Sequence, residues 1–239
     1  AIIGARSGSK SIKDKNLQLI SGKPLMAWMI EAAKKAKYVD RVIVSTDSPR
    51  YTEIAKKYGA EAPFLRPKEI SQDLSTDLEY LTHAVNWLEI NDNLKPDIIF
   101  RAMPTAPLMK SEYFDRCVEI LIENPEIDSV RVISPVSEHP YKKMWKIENG
   151  ELIPFLPKEI TGFEEAANIP RQLLPPVYKH GGLIALRYST IMNLRSLNGK
   201  KISFVEIPKE DNIDIDSELD LILAENLLKR RNNLYRKQL

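Results

Sequence analysis

Short apolar runs alternate with helical repeats along the first 133 residues. Ala1 to Ala5 is apolar and opens into Arg6-Ser-Gly-Ser-Lys10, the pattern of a buried strand ending in a loop. Pro24 suits a first helical turn, and Leu25, Met29, Ile30 and Ala33 then recur at helical spacing until Lys34, Lys35 and Lys37 close the segment. Arg41 to Thr46 reads as a second buried strand, followed by Ser48 as cap, Pro49 as first helical residue and Gly59 as stop. Thr76 and Glu79 have capping-box spacing, and Leu78, Leu81, Val85 and Leu88 continue as an amphipathic helix. Asp97 to Phe100 is the next strand, Ser111 opens a helix bearing Phe114, Val118 and Leu121, and Asp128 to Ile133 returns as a strand. Such alternation predicts an α/β fold, with a mostly parallel sheet covered on both faces and ligands at the carboxyl ends of its strands.

The rhythm breaks between about Ser134 and Tyr178, where seven prolines and the hairpin signal Asn149-Gly150 interrupt any helical pattern. The single domain spanning 1–239 is therefore expected to carry an inserted lobe at about 134–180. Strand character resumes at Gly181 to Leu186 and Ile202 to Ile207. Ser217 then caps a last helix with Leu219, Ile222, Leu223 and Leu227, whose tail Lys229-Arg-Arg-Asn-Asn is expected in solvent.

Composition narrows the partners. The 35 basic and 33 acidic residues leave a net charge of +2, so no chain-wide basic field points to nucleic acid. No apolar run approaches the ~20 residues that cross a bilayer. The lone Cys117 excludes an intramolecular disulfide framework and fits a reducing, cytoplasmic setting. The chain opens directly on strand-like Ala1-Ile-Ile, so an initiator methionine or short leader is expected upstream. His83, His139 and His180 lack metal spacing and none is assigned to catalysis.

The loop after the first strand concentrates Arg6, Ser9, Lys10, Lys15 and Asn16. Cations and small residues there can neutralise a polyphosphate while backbone amides approach it. A solvated basic loop explains the same residues, and neither a P-loop nor a Gly-x-Gly-x-x-Gly pattern is present to decide between them.

The segment Ala1-Ile-Ile-Gly-Ala-Arg-Ser-Gly-Ser-Lys-Ser-Ile-Lys-Asp-Lys-Asn16 resembles the nucleotide-binding signature of the acylneuraminate cytidylyltransferases (CMP-sialic acid synthetases). Four further segments stand in that family's order: Val44-Ser-Thr-Asp47, Phe64-Leu-Arg-Pro67, Pro104-Thr-Ala-Pro-Leu108 and Ile213-Asp-Ile-Asp-Ser-Glu-Leu-Asp220. The resemblance spans nearly the whole chain. It implies a Rossmann-like nucleotide-diphospho-sugar transferase fold and CTP-dependent activation of a nine-carbon 2-keto sugar acid, with release of pyrophosphate. It also implies that Arg6, Ser9, Lys10, Lys15 and Asn16 hold CTP, with Arg6 and Lys15 nearest its phosphates and, with Asp216, catalytic. Arg66, Ser75 and Asp77 would flank cytosine, whose amine a carboxylate can accept. Asp77 departs from the small hydroxyl residue of the family pattern.

Asp214 and Asp216 alternate along an extended segment, which places both carboxylates on one side. A polar strand edge leading to the Ser217 cap would look the same. With the resemblance, the pair is expected to bind magnesium, which takes oxygen ligands from one or two carboxylates and from phosphates. His139-Pro-Tyr-Lys142 and Pro170-Arg-Gln-Leu-Leu-Pro175 resemble segments that approach the sugar. Lys142, Arg171 and Gln172 are thus either sugar ligands or solvated lobe residues.

Two departures bear on the sugar. Met103 stands where the family has Gln, and Gly181-Gly-Leu-Ile-Ala185 stands where it has Asn-Gly-Ala-Ile-Tyr. Both remove hydrogen-bonding groups, so a legionaminate-like or pseudaminate-like substrate is a candidate beside sialic acid. A CMP-ketodeoxyoctonate synthetase is the nearest alternative, but its family's Ser-Thr-Arg-Leu-Pro-Gly-Lys loop and Gln-Gly-Asp-Glu-Pro motif are missing. A non-catalytic nucleotide-sensing module is the alternative of another class. The lobe's Met144, Trp145, Ile147, Leu152, Ile153, Phe155 and Leu156 exceed what a small arm can bury, so a homodimer is expected, as the resemblance also implies. Lys142 or Arg171 would then serve a partner's site.

Overall fold

The computed structural model describes residues 1–236, with side chains through Arg231. They divide into two compact units, residues 1–133 with those from 180 onward, and Ser134–Lys179. In chain order the elements are β1 (Ile2–Gly4), β2 (Leu19–Ile20), β3 (Lys23–Pro24), α1 (Leu25–Lys35), β4 (Ile43–Ser45), α2 (Pro49–Lys57) and α3 (Asp77–Asp92). There follow β5 (Ile98–Ala102), α4 (Ser111–Glu123), β6 (Ser129–Pro135), α5 (Pro140–Lys143), β7 (Trp145–Glu148), β8 (Glu151–Pro154) and α6 (Lys158–Thr161). The chain ends with β9 (Tyr178–Arg187), α7 (Tyr188–Met192), β10 (Ile202–Glu206) and α8 (Glu218–Arg236).

Six strands form one sheet in the order β10-β6-β9-β5-β1-β4. β1 is parallel to β4 and β5, β10 is parallel to β6, and β9 runs antiparallel to β5. The alternating pattern thus yields the expected mostly parallel α/β sheet. β1 lies one strand in from the β4 edge rather than at the middle, because the chain adds only β4 on that side before crossing to β5.

Strand alternation divides the core. Ile3 packs with Met29, Ile30, Val44, Phe100 and Phe114 against α1 and α4, whereas its neighbour Ile2 packs with Leu81, Val85, Ile99 and Ile184 against α3. Each such side chain contributes roughly 1.5–3 kcal/mol on burial. Cys117 belongs to this core, and burial pushes its thiol up to about 12, so it packs rather than reacts. A third cluster joins Ile12, Ile20, Leu25 and Leu108 to Ile215 and Leu228, which fastens α8 and the irregular segment leading into it to the first loop.

Local signals act as their chemistry predicts. Ser48 Oγ accepts from Tyr51 N at the start of α2. At α3 the Glu79 carboxylate accepts from Thr76 N and Thr76 Oγ1. Pro24 precedes α1 rather than entering it, since it still pairs with Leu19 across the β2-β3 ribbon. In the tail of α8, Lys229 and Arg230 are exposed as expected, whereas Arg231 donates to Leu108 O and to buried Asp211. The side chains of Asn232 and Asn233 lie outside the described residues.

In the second unit β7 and β8 pair as a hairpin through Asn149 and Gly150, both with positive φ, as a type I′ turn requires. Ile147 and Leu152 face solvent at 76% and 63% exposure, with Trp145 and Phe155 also exposed. No helix among the described residues is long and apolar enough to cross a membrane.

Candidate functional site

The chain leaves β1 at Gly4 and turns sharply. Ser7 fixes the turn: its N and Oγ donate to the two oxygens of Asp47 at 2.6 and 2.7 Å. Asn16, buried, closes the loop by donating from Nδ2 to Arg6 O at 3.3 Å. The result is a cleft of about 370 Å³ at the carboxyl ends of β1 and β5. Arg6, Ser9, Lys10, Lys15 and Asn16 all line it, as do Asp77 and Met103. Five residues separated by up to ten positions are thus gathered on one cavity.

Each cation has a protein partner. Asp73 bridges two of them, with Oδ1 at 3.1 Å from Arg6 Nη2 and Oδ2 against Lys10 Nζ. Lys10 and then Arg6 hold this carboxyl below the usual carboxylate range. Lys15 Nζ donates to Ile215 O at 2.8 Å and to Asp216 Oδ1 at 3.0 Å, which ties the first loop to the segment before α8. Within that segment Ile215 is fully buried between the two aspartates. Asp216 is largely exposed, whereas Asp214 Oδ1 is buried with no hydrogen-bond partner among the described residues. An orphaned carboxylate oxygen near an exposed carboxylate suits a hard cation that completes its shell with water or phosphate oxygens. No group of three or more His, Cys, Asp or Glu is placed to hold a metal ion by itself among the described residues.

Two residues expected at cytosine do not line the cleft. Arg66 is buried, donating to Ser45 Oγ at 3.0 Å and Ser45 O at 2.6 Å, and its guanidinium lies 4.5 Å from the centre of the Tyr80 ring. It therefore backs Tyr80, which does line the cleft. Burial lowers the Arg66 pKa from its ordinary value. Ser75 Oγ accepts from Gln72 N at 2.9 Å and closes the turn before α3. Asp77 is at the cleft but engaged, its Oδ2 accepting from Arg101 Nε at 2.6 Å.

The lobe residues have partners within their own unit. Lys142 Nζ donates to Ile169 O and Arg171 Nη2 to Val136 O, each at 2.8 Å, while Gln172 is exposed. Met103 is set by β9: its N donates to Gly182 O at 2.8 Å, and a Cβ on Gly182 would come 2.4 Å from Ala106 Cβ. Only glycine admits this close approach. Sequence reasoning gave Asp47 no role beyond its place in the Val44-Ser-Thr-Asp47 motif and missed Asp73, Tyr80 and Arg101, although Arg101 stands out as a charge inside the apolar strand Ile98-Ile-Phe-Arg-Ala102.

The sequence profile of the cytidylyltransferase family matches residues 1–231. The chain belongs to this family. A Helicobacter pylori protein named pseudaminic acid cytidylyltransferase and UDP-2,4-diacetamido-2,4,6-trideoxy-beta-L-altropyranose hydrolase is 34% identical over 184 residues, 77% of this chain. The match spans only 33% of that protein's length. The CMP-N,N'-diacetyllegionaminic acid synthase of Legionella pneumophila is 32% identical over 240 residues, covering 96% of this chain and 95% of that protein. Among solved structures, a CMP:2-keto-3-deoxy-manno-octonic acid synthetase complexed with CTP superposes with a TM-score of 0.69 over 96% of this chain and 98% of its own. At 18% identity this likeness shows the fold alone.

Proposed function

We propose that this cytidylyltransferase couples CTP to a nine-carbon 2-keto sugar acid of the sialic, legionaminic or pseudaminic type. The sugar's anomeric oxygen attacks the α-phosphorus of CTP, the bond to the β-phosphate oxygen breaks, and pyrophosphate leaves with its electron pair. The hydroxyl proton passes to water. The observation that carries this reading is the convergence of Arg6, Lys10 and Lys15 on one cleft with Ser9 and Asn16. Three cations can offset most of a triphosphate's charge and hold it in line for displacement. Lys15, already bonded to Asp216, joins this cation set to the acidic segment.

Asp214 and Asp216 would hold Mg²⁺, which when bound supplies charge neutralisation of the phosphates. Loop closure through the Asp47–Ser7 pair keeps Arg6 and Lys10 at the mouth. We place the enzyme in the cytoplasm and assign the exposed apolar hairpin to a homodimer contact. The similarity to the legionaminate and pseudaminate enzymes, together with Met103 in place of Gln, favours a sugar other than N-acetylneuraminate.

Titration calorimetry with CTP, comparing wild type and Arg6→Ala, tests the nucleotide assignment. Affinity for CTP is expected to fall at least roughly tenfold, as for loss of a charged hydrogen bond. An unchanged CTP constant with impaired sugar use would overturn it.

A further inference from the structure

Arg101 is a guanidinium set into the sheet. It occupies β5 between Ile2 of β1 and Ile184 of β9, and only 9% of its surface is exposed. A charge in such a place is costly unless paired and fully hydrogen-bonded. The pairing exists, and the Tyr80 hydroxyl also interacts with the guanidinium, but Nη1 is left out. Asp77 Oδ2 alone receives both Nε and Nη2, while Nη1 is buried with no partner among the described residues. A guanidinium carries five donors in a planar fork, so one face of hydrogen bonding is left unspent.

Arg101 and Asp77 both line the cleft, as does Met103, which follows the last residue of β5. The strand order locates this wall. Arg66 is bonded to Ser45 of β4 on one side of β1, whereas Arg101 comes from β5, and Met103 from just past its end, on the other. The cation loop that suits the triphosphate leaves β1 between them. Arg101 thus shares the β5 side of the cleft with Met103, the position expected at the sugar.

We propose that Arg101 is a specificity-determining residue for the second substrate, donating from Nη1 to an acceptor oxygen on the acidic sugar, with Asp77 as the positioning residue that fixes its fork. Asp77 thereby acts through Arg101 and not on cytosine. The inference rests on the proposed sugar-acid activity and deepens it. It also explains why a charged strand residue and an acidic first-turn residue occur together: each alone would be an uncompensated charge at the cleft floor.

The test compares wild type, Arg101→Leu, Arg101→Lys and the double variant Arg101→Leu with Asp77→Ser. Each is assayed with CTP and whichever acid of a sialic, legionaminic, pseudaminic and octonic panel the wild type turns over. Because Arg101→Leu strands a carboxylate and can impair folding, the double variant, which removes both charges, carries the measurement, and thermal melting checks that it is folded. The sugar KM is expected to rise roughly tenfold or more in the double variant, the loss expected for a desolvated charged hydrogen bond. The CTP KM should stay within about twofold, and Arg101→Lys should be intermediate, since it keeps the charge but not the fork. A sugar KM within twofold of wild type, or a CTP KM rising as much as the sugar's, would overturn the assignment. Calorimetry separates the two failures: CTP binding with no acid turned over by wild type contradicts the function itself, whereas turnover with an unmoved sugar KM contradicts Arg101 alone.

Discussion

The Asp73 carboxylate lies 3.1 Å from the Arg6 guanidinium, and its other oxygen contacts Lys10. Two of the cations that suit a triphosphate are thus neutralised by an internal anion, which nucleotide has to displace. Asp73→Asn removes the competitor while preserving shape. The CTP KM is expected to fall by roughly two- to fivefold, the range of an exposed ion pair. The effect should shrink as salt is raised, because exposed charges are screened. A raised KM would show instead that Asp73 orients the cations.

Asp216→Asn leaves Lys15 with a neutral partner and deprives the acidic segment of one carboxylate. Turnover is expected to drop by at least two orders of magnitude at saturating substrates, and the Mg²⁺ concentration for half-maximal rate to rise. Wild-type rates with an unchanged metal requirement would contradict the metal assignment. Melting temperature should hardly move, since the Asp216 side chain is 77% exposed.

The loop that carries Asp73 runs directly into the capping box of α3. Hydrogen bonds from Thr76 N and Oγ1 hold the Glu79 carboxyl below its ordinary value of 4.5. A depressed folded-state pKa means that Glu79 contributes stability above that value and loses it as pH falls through the folded pKa. Denaturant melts of wild type and Glu79→Gln should therefore differ most near neutral pH and converge on acidification. A gap that widens in acid would contradict the sign.

Much of this architecture was legible in advance, and for identifiable reasons. Ser48-Pro49, the Thr76–Glu79 pair and Asn149-Gly150 are local codes whose hydrogen bonds close within a few residues, so sequence spacing alone reveals them. The clustering of Arg6 with Lys15 is legible for the same reason, being confined to one loop. What escaped depends on distance along the chain. Asp47 meets Ser7 across 40 positions and Arg101 meets Asp77 across 24, contacts created by strand order that no local pattern encodes. The burial of Arg66 against Ser45 and Tyr80 is likewise illegible, because a buried arginine and a cleft arginine look alike in sequence. Arg231 was read as solvated because its partner, Asp211, is brought to it by the packing of α8.

The β7-β8 hairpin exposes Ile147 and Leu152 on a two-stranded ribbon that is too small to bury them itself. If this surface makes the proposed homodimer, Ile147→Asp with Leu152→Asp should yield a monomer by light scattering while keeping the wild-type melting profile of the main unit. Wild type that is already monomeric at assay concentration would remove the dimer from the account.

The most direct measurement is of products. Purified protein with CTP, Mg²⁺ and each of N-acetylneuraminic, legionaminic, pseudaminic and ketodeoxyoctonic acid is assayed for pyrophosphate, with mass spectrometry of the nucleotide fraction. Equimolar pyrophosphate and a CMP-sugar are expected with at least one nine-carbon acid, fastest with a legionaminic or pseudaminic type, and none when Arg6 and Lys15 are both replaced by alanine. CTP bound without pyrophosphate from any nine-carbon acid, or a product formed only with the octonic acid, would contradict the proposed function.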